Sequence, residues 1–387
     1  MIRYYTAGES HGKRVTVILE GIPAGLNISE DYINKELARR QKGYGRGKRM
    51  EIEKDKVVVN SGIRLGETIG SPVCLMIENR DWPNWKKIMA VDKRKLEEKD
   101  ILTEPRPGHA DLAGVLKYDR DDMRDILERA SARETAARVA AGAVAKKLLE
   151  TLNINVVSFT RQIGKVKSAP GSIEVKQIAR IAEKSNLRCI DKPAESGMIE
   201  EIDNARDAGD TIGGVFTVIV SGLPPGLGSH IQWDLKLDGR IAQALMSIQA
   251  VKGVETGIGF EMAGVRGSQV HDEIKYSDEK KQFYRTTNNA GGFEGGMTTG
   301  ENLICSAVMK PISSLRKPLG SVDMKTKQEI KSAKVRSDVC AVPAAGVVGE
   351  SAVALEVLKA IKEKMGGDSC REMKRNYQNY LKQIVEY

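Results

Sequence analysis

The sequence predicts a mixed α/β (α+β) domain with helices layered against sheets, made of two similar halves packed about a pseudo-twofold axis. Three observations predict it. The run from Val15 to Leu26 is echoed by the run from Phe216 to Leu227, each a β-rich stretch stopped by a Gly-x-Pro-x-Gly turn, Gly21 to Gly25 and Gly222 to Gly226. The same order of strand, turn, helix and strand continues in both copies, which chance does not readily produce. Helices follow groups of strands, two-residue hairpin links are rare, and no Gly-x-Gly-x-x-Gly follows a strand to open a helix, so Rossmann topology is disfavoured.

Taken in order, the first copy places a strand over Val15 to Leu19 and a helix from Ser29, a good N-cap, to Arg40, ending before Lys42-Gly43. An apolar strand follows over Ser71 to Ile77, then an alanine-rich helix from Asp125 to Leu152. The second copy repeats this with a strand from Phe216, a helix over Leu237 to Ile248 before Lys252-Gly253, and a strand over Asn302 to Met309. Its helix from Ala344 to Lys364 is closed by Gly366-Gly367. The 387 residues read as one domain, 1–387, with approximate halves 1–200 and 201–387. The segment from about Thr160 to Ala208 carries no motif.

Composition bounds the function. Apolar residues at 41% and charged residues at 29% are those of an ordinary globular protein, and no apolar run approaches the roughly 18 residues needed to span a membrane. The start, Met1 to Tyr5, lacks the regions of a signal peptide, so a cytoplasmic location is expected. The five cysteines are scattered without a Cys-x-x-Cys pair and read as reduced and buried. His230 and His271 lack metal-ligand spacing, and no metal is expected.

A net charge of +9 favours anionic partners. The charge concentrates in Arg39 to Arg49, where cations alternate with Gly43, Gly45 and Gly47. This loop can capture phosphate or carboxylate, bind nucleic acid, or simply be solvated. Aromatics are only 5% of the chain and Tyr44 is the one stacking surface in the loop, which weighs against nucleic acid.

Proton chemistry is indicated by two of the four histidines. His11 lies in Gly8-Glu9-Ser10-His11-Gly12 and His109 in Arg106-Pro107-Gly108-His109-Ala110-Asp111, each among glycines, hydroxyls and charges that suit a general acid or base. In the helix from Asp125, the pairs Asp125 with Arg129 and Glu134 with Arg138 support an exposed face; alternatively Arg129 and Ser131 face a cleft and hold an anion. The glycine-rich run from Asn288 to Gly300 is either a flexible loop or a wrap for a planar ligand. Lys310 to Ser314 add a cation and hydroxyls. Asp338, two residues from Arg336, is a surface ion pair or a base tuned by that cation.

These segments together resemble the chorismate synthase family, over nearly the whole chain and in the family's order: Gly8 to Gly12, Arg39 to Glu53, Arg106 to Gly114, Arg129 to Arg138, Asn288 to Gly300, Lys310 to Ser314 and Arg336 to Pro343. Ala130, where many members have Ser, and Gln269, where Glu is frequent, are small departures. The resemblance implies a β-α-β sandwich assembled as a homotetramer. It also implies 1,4-anti elimination of phosphate from 5-enolpyruvylshikimate 3-phosphate to give chorismate, with reduced FMN required and no net redox change. By that likeness His11 protonates the departing phosphate, His109 protonates the reduced flavin, and Asp338 acts as a base relayed through Ser10. FMN contacts carry over to Arg129, Ser131, Gln249, Ala250, Gly295, Lys310, Ser313, Ser314 and Arg336. Nicotinamide-cofactor contacts carry over to Arg40 and Arg46, with NADPH the reductant implied there, while Arg49 and Arg133 are assigned to substrate anions. No dinucleotide fingerprint is present, so a separate flavin reductase is expected. The competing functions are a flavin redox enzyme and a nucleic-acid binder.

Overall fold

A computed structural model describes residues 1–47, 54–93, 96–168, 174–279, 281–332 and 338–387. Its first sheet is four-stranded and antiparallel, built from β1 (Arg3–Ala7), β2 (Arg14–Glu20), β3 (Val57–Ser61) and β4 (Val73–Glu78) in the order β1-β2-β4-β3. The second sheet is five-stranded, from β5 (Asn155–Ile163), β6 (Val166–Lys167), β7 (Gly214–Ser221), β8 (Val251–Thr256) and β9 (Leu303–Met309), in the order β8-β9-β7-β5-β6. Leaving out the short β6, the strands correspond: β5 to β1, β7 to β2, β9 to β4 and β8 to β3. The register agrees as well, since Arg14 of β2 faces Glu78 and Gly214 of β7 faces Met309.

Alternation of buried and exposed residues makes one face of β2 apolar, Val15, Val17 and Leu19, and that face needs a cover. Helices supply it; the chain carries α1 (Glu30–Gln41), α2 (Arg124–Ala130), α3 (Thr135–Glu150), α4 (Val175–Lys184), α5 (Lys192–Asp207), α6 (Leu237–Met246), α7 (Val342–Met365) and α8 (Cys370–Glu386), with α4 packed on the outer face of the second sheet against Phe159 and Ile219. Of these, α3 packs on β2 and β4, α7 packs on β5 and β7, and α3 packs on α7, which gives the β-α-β sandwich. Both central helices are buried almost all round, as layers covered on both sides must be. They cross very closely: a Cβ at Gly142 would lie 2.2 Å from Ser351 Cβ.

Ser29 caps α1 as its sequence suggests, accepting from Tyr32 N–H. The single helix expected over Asp125 to Leu152 is broken. Ser131 takes an extended backbone (φ −63°, ψ 143°) and accepts from Arg133 N–H, so a short 3₁₀ turn, Ala132–Glu134, separates α2 from α3. The Gly-x-Pro-x-Gly turns are built alike in both halves. Thr68 donates to Pro23 O and accepts from Leu26 N–H, while Thr298 donates to Pro224 O and accepts from Leu227 N–H. The C-terminal segment straps both turns, through Cys370 N–H to Ala24 O, Tyr377 to Gly222 O and Tyr380 to Pro225 O.

One buried charge cluster pins the layers. Glu350, wholly buried on α7, meets Arg39 at 2.7 Å, Lys146 at 2.6 Å and Arg188 at 3.0 Å. Burial alone would raise its carboxyl, but the three cations hold it well below the usual range.

Candidate active site

The end of the sandwich where α3 and α7 begin gathers most of the expected residues. Arg40, at the end of α1, reaches the first residue of α3 through Thr135 Oγ1 at 2.9 Å, and Val339, just before α7, donates to Gly45 O at 2.8 Å. Two helix N-termini and the basic loop therefore converge there, an arrangement that favours anions.

His11 stands on the short link between β1 and β2. Gly8 closes that link at φ +106°, where a Cβ would come within 2.3 Å of Arg14 O. His11 donates through its backbone N–H to Glu128 Oε2 at 2.7 Å, and its Nδ1 lies 2.8 Å from Glu128 Oε1. Trp85 stacks on the imidazole at 3.9 Å. Next to it, Ser131 donates to the buried Ser10 hydroxyl at 3.1 Å. Arg129 does not form the expected pair with Asp125, which goes to Arg120 instead; it donates to Thr6 O and Gly8 O. Glu134 and Arg138 do pair, at 2.9 Å.

Behind this lies a buried knot of arginines. Asp55 accepts from Arg133 at 2.5 Å and from Arg40 at 3.3 Å. Arg133 also donates to Asn79 and to Glu78 O, and Arg40 to Ala132 O. Burial pushes the Arg40 guanidinium down to about 10, against the pull of Asp55. Asp338 meets Arg46 at 3.0 Å and accepts from Gly47 N–H at 2.6 Å. Its ion-pair partner among the described residues is thus Arg46; Arg336, the neighbour expected from sequence, lies outside the described residues, as does Arg49.

His109 sits at the loop before helix Asp111–Tyr118. Its Nδ1 lies 2.5 Å from Asp111 Oδ1 and 3.0 Å from Arg106. The carboxylate can only accept, so the ring proton points at Asp111, and Arg106 turns its donors to Asp111 at 2.8 and 3.1 Å and to Ser314. Burial would raise the Asp111 carboxyl; the His109 and Arg106 hydrogen bonds overcome it and hold it well below the usual range. Lys310 donates to Gly108 O at 2.6 Å, and a Cβ on Gly108 would lie 3.5 Å from Ser313 Cβ, so His109, Lys310, Ser313 and Ser314 form one wall. Ser314 and Asp338 line a common small cavity.

Ala250, in the left-handed region at φ +67°, accepts from Lys310 N–H. Gln249 donates to Glu134 Oε2 at 3.3 Å, and Glu134 also accepts from Thr6, which joins Gln249 to Arg129. The Gln249 Oε1 is buried without a hydrogen-bond partner, an acceptor awaiting a donor such as a ring N–H. That orphan, beside cations and backbone amides, fits a flavin. Among the described residues expected to hold the cofactor, Gly295 alone falls elsewhere: it turns a hairpin, Phe293–Glu294 with Met297–Thr298, that leads into the start of β9, whereas Lys310 follows its end, roughly 20 Å away at strand spacing.

Sequence reasoning passed over Glu128, Trp85 and Asp55. Glu128 had a signal, a carboxylate beside Arg129 in a segment already singled out. Asp55 and Trp85 had none, because only the fold carries them to the loop.

The fold and this site define a cation-rich cluster that includes two histidines, each backed by a buried carboxylate. A family model described as chorismate synthase matches residues 2–361. The chain is 55% identical to the chorismate synthase of Geobacter sulfurreducens over 390 residues, covering 99% of each chain, and 55% identical to that of Desulforudis audaxviator, covering 99% of this chain and 98% of the relative. It matches a crystal structure of chorismate synthase with TM-score 0.81 and 43% identity over 100% of this chain and 99% of that one. The chain belongs to the chorismate synthase family, the lyases of the shikimate pathway that eliminate phosphate from 5-enolpyruvylshikimate 3-phosphate and need reduced flavin. No helix among the described residues is long and apolar enough to cross a membrane.

Proposed function

We propose that this chain performs the 1,4-anti elimination at the end of the sandwich just described, with the roles divided between its two carboxylate-backed histidines. The carrying observation is that pairing: His11 on Glu128 and His109 on Asp111, each through Nδ1. With Nδ1–H fixed on a carboxylate, Nε2 is the atom left to exchange a proton. His11, as the doubly protonated imidazolium, passes its Nε2 proton to the departing phosphate and is left as the neutral ring with Nδ1–H on Glu128. His109 Nε2 holds a proton beside the anionic reduced cofactor, and Asp338, in relay with Ser10, accepts the proton lost in the elimination.

Reduced FMN would be held by Arg129, Ser131, Gln249, Ala250, Lys310, Ser313, Ser314 and Arg336. When bound, it supplies and recovers an electron, which side chains cannot do. Arg49 and Arg133 are assigned to the substrate's anions, the buried Arg133, with Arg40 beside it, acting as fixed positive charge at Asp55. Gly295, distant within one protomer, contributes only if a second copy brings it, in keeping with a homotetramer. Arg40 and Arg46 offer NADPH little purchase because protein groups already engage them, which supports supply of reduced flavin by a separate reductase in the cytoplasm. The two halves are read as a duplication within one domain, the second copy opening at β5 rather than near residue 201.

The histidine variants test the division of roles. His11→Ala and His109→Ala should each lower turnover about 10²- to 10⁴-fold with folding retained. Near-native turnover of either variant at saturating reduced FMN and substrate would remove that histidine from its role.

A further inference from the structure

We propose that Glu128 is the positioning residue that locks Ser10 and His11 into one proton-handling unit, an assignment that rests on the reading of His11 as proton donor. Three contacts from one residue converge on two neighbours. Glu128 O accepts from Ser10 N–H at 3.0 Å, Oε2 accepts from His11 N–H at 2.7 Å, and Oε1 faces His11 Nδ1 at 2.8 Å. The side chain is 1% exposed, so water does not compete for these bonds.

The consequence is chemical. A carboxylate accepts and cannot donate, so Nδ1 carries the proton and Nε2 is the free position in the neutral ring. Trp85, stacked at 3.9 Å, blocks one face and stops the ring from rotating about its own bond. Arg124 completes the clamp, 3.6 Å from Glu128 Oε1 and 5.1 Å from the centre of the Trp85 ring. Because Ser10 hangs from the backbone of the same residue, the hydroxyl and the imidazole move together. Both carboxylate oxygens of Glu128 are engaged by His11, so Glu128 acts through it.

The test combines ring NMR with a double-mutant cycle. In enzyme labelled with ¹⁵N-histidine, with His11 assigned by its loss in His11→Ala, the neutral ring should be protonated at Nδ1, and Glu128→Ala should move the proton to Nε2. Glu128→Ala should lower kcat about 10²-fold through misorientation, with KM little changed, and Glu128→Gln, which keeps shape and one acceptor, should lose less. In the His11→Ala background Glu128→Ala should have almost no further effect on kcat. An Nε2-protonated ring in the wild type, or losses that multiply in the double variant, would overturn this assignment while leaving His11 as donor. Full turnover in His11→Ala would overturn both.

Discussion

His109 Nδ1 lies 2.5 Å from Asp111 Oδ1, and the same carboxylate takes two hydrogen bonds from the Arg106 guanidinium and one from its backbone N–H. One acidic group thus fixes the imidazole and ties it, through Arg106 and Ser314, to the wall that carries Lys310.

The Asp111 carboxyl is held below its ordinary value, which sets a sign for pH. A depressed folded value means stability that is complete above the unfolded carboxylate range and is lost as pH falls toward the folded value. Asp111→Asn should therefore cost about 1 to 2 kcal/mol at pH 7, the scale of charge-assisted bonds discounted for partial exposure. The gap to wild type should narrow below about pH 4. Thermal unfolding of both proteins between pH 3 and 7 measures it; a gap that widened in acid would contradict the pairing.

Asp338→Asn keeps the shape and removes the base. Elimination should slow by about 10²-fold or more while flavin binding, followed by fluorescence, stays near wild type. Loss of flavin binding in proportion to turnover would recast Asp338 as the anchor of Arg46 and Gly47, the two groups it meets at 3.0 and 2.6 Å.

Much of the architecture was legible because it is local and repeated. The Gly-x-Pro-x-Gly turns, the Ser29 cap and the glycines after α7 each announce a backbone conformation, and the periodic apolar runs give β2, β4, β7 and β9. Less legible were β5, whose partner in the repeat is the short β1, and the connection 164–213, which replaces the six-residue-scale link of the first copy with α4 and α5. The break at Ser131 went unseen because alanine-rich flanks favour helix, and the hydroxyl's bond to Arg133 N–H prevailed over that propensity. At the site, His11, His109 and Asp338 were visible as chemistry in short segments. Glu128, the partner of His11, and Arg46, the partner of Asp338, come from distant chain positions and only packing pairs them, whereas Asp111 stands two residues from His109.

The chain should not reduce its own flavin efficiently. Arg40 is buried and donates to Thr135, Asp55 and Ala132 O, leaving it poorly placed to hold a dinucleotide. Under anaerobic conditions, NADPH with oxidised FMN and no dithionite, light or reductase should give at most about a hundredth of the photoreduced rate, since flavin supply and not chemistry then limits turnover. Comparable rates would make the enzyme bifunctional.

The most direct test of the central claim is the balance of products under photoreduced FMN. The enzyme, given 5-enolpyruvylshikimate 3-phosphate anaerobically, should release phosphate and chorismate in equal amounts over many turnovers while the reduced flavin remains reduced. Stoichiometric oxidation of the flavin, or phosphate released without chorismate, would contradict an elimination run by His11, His109 and Asp338.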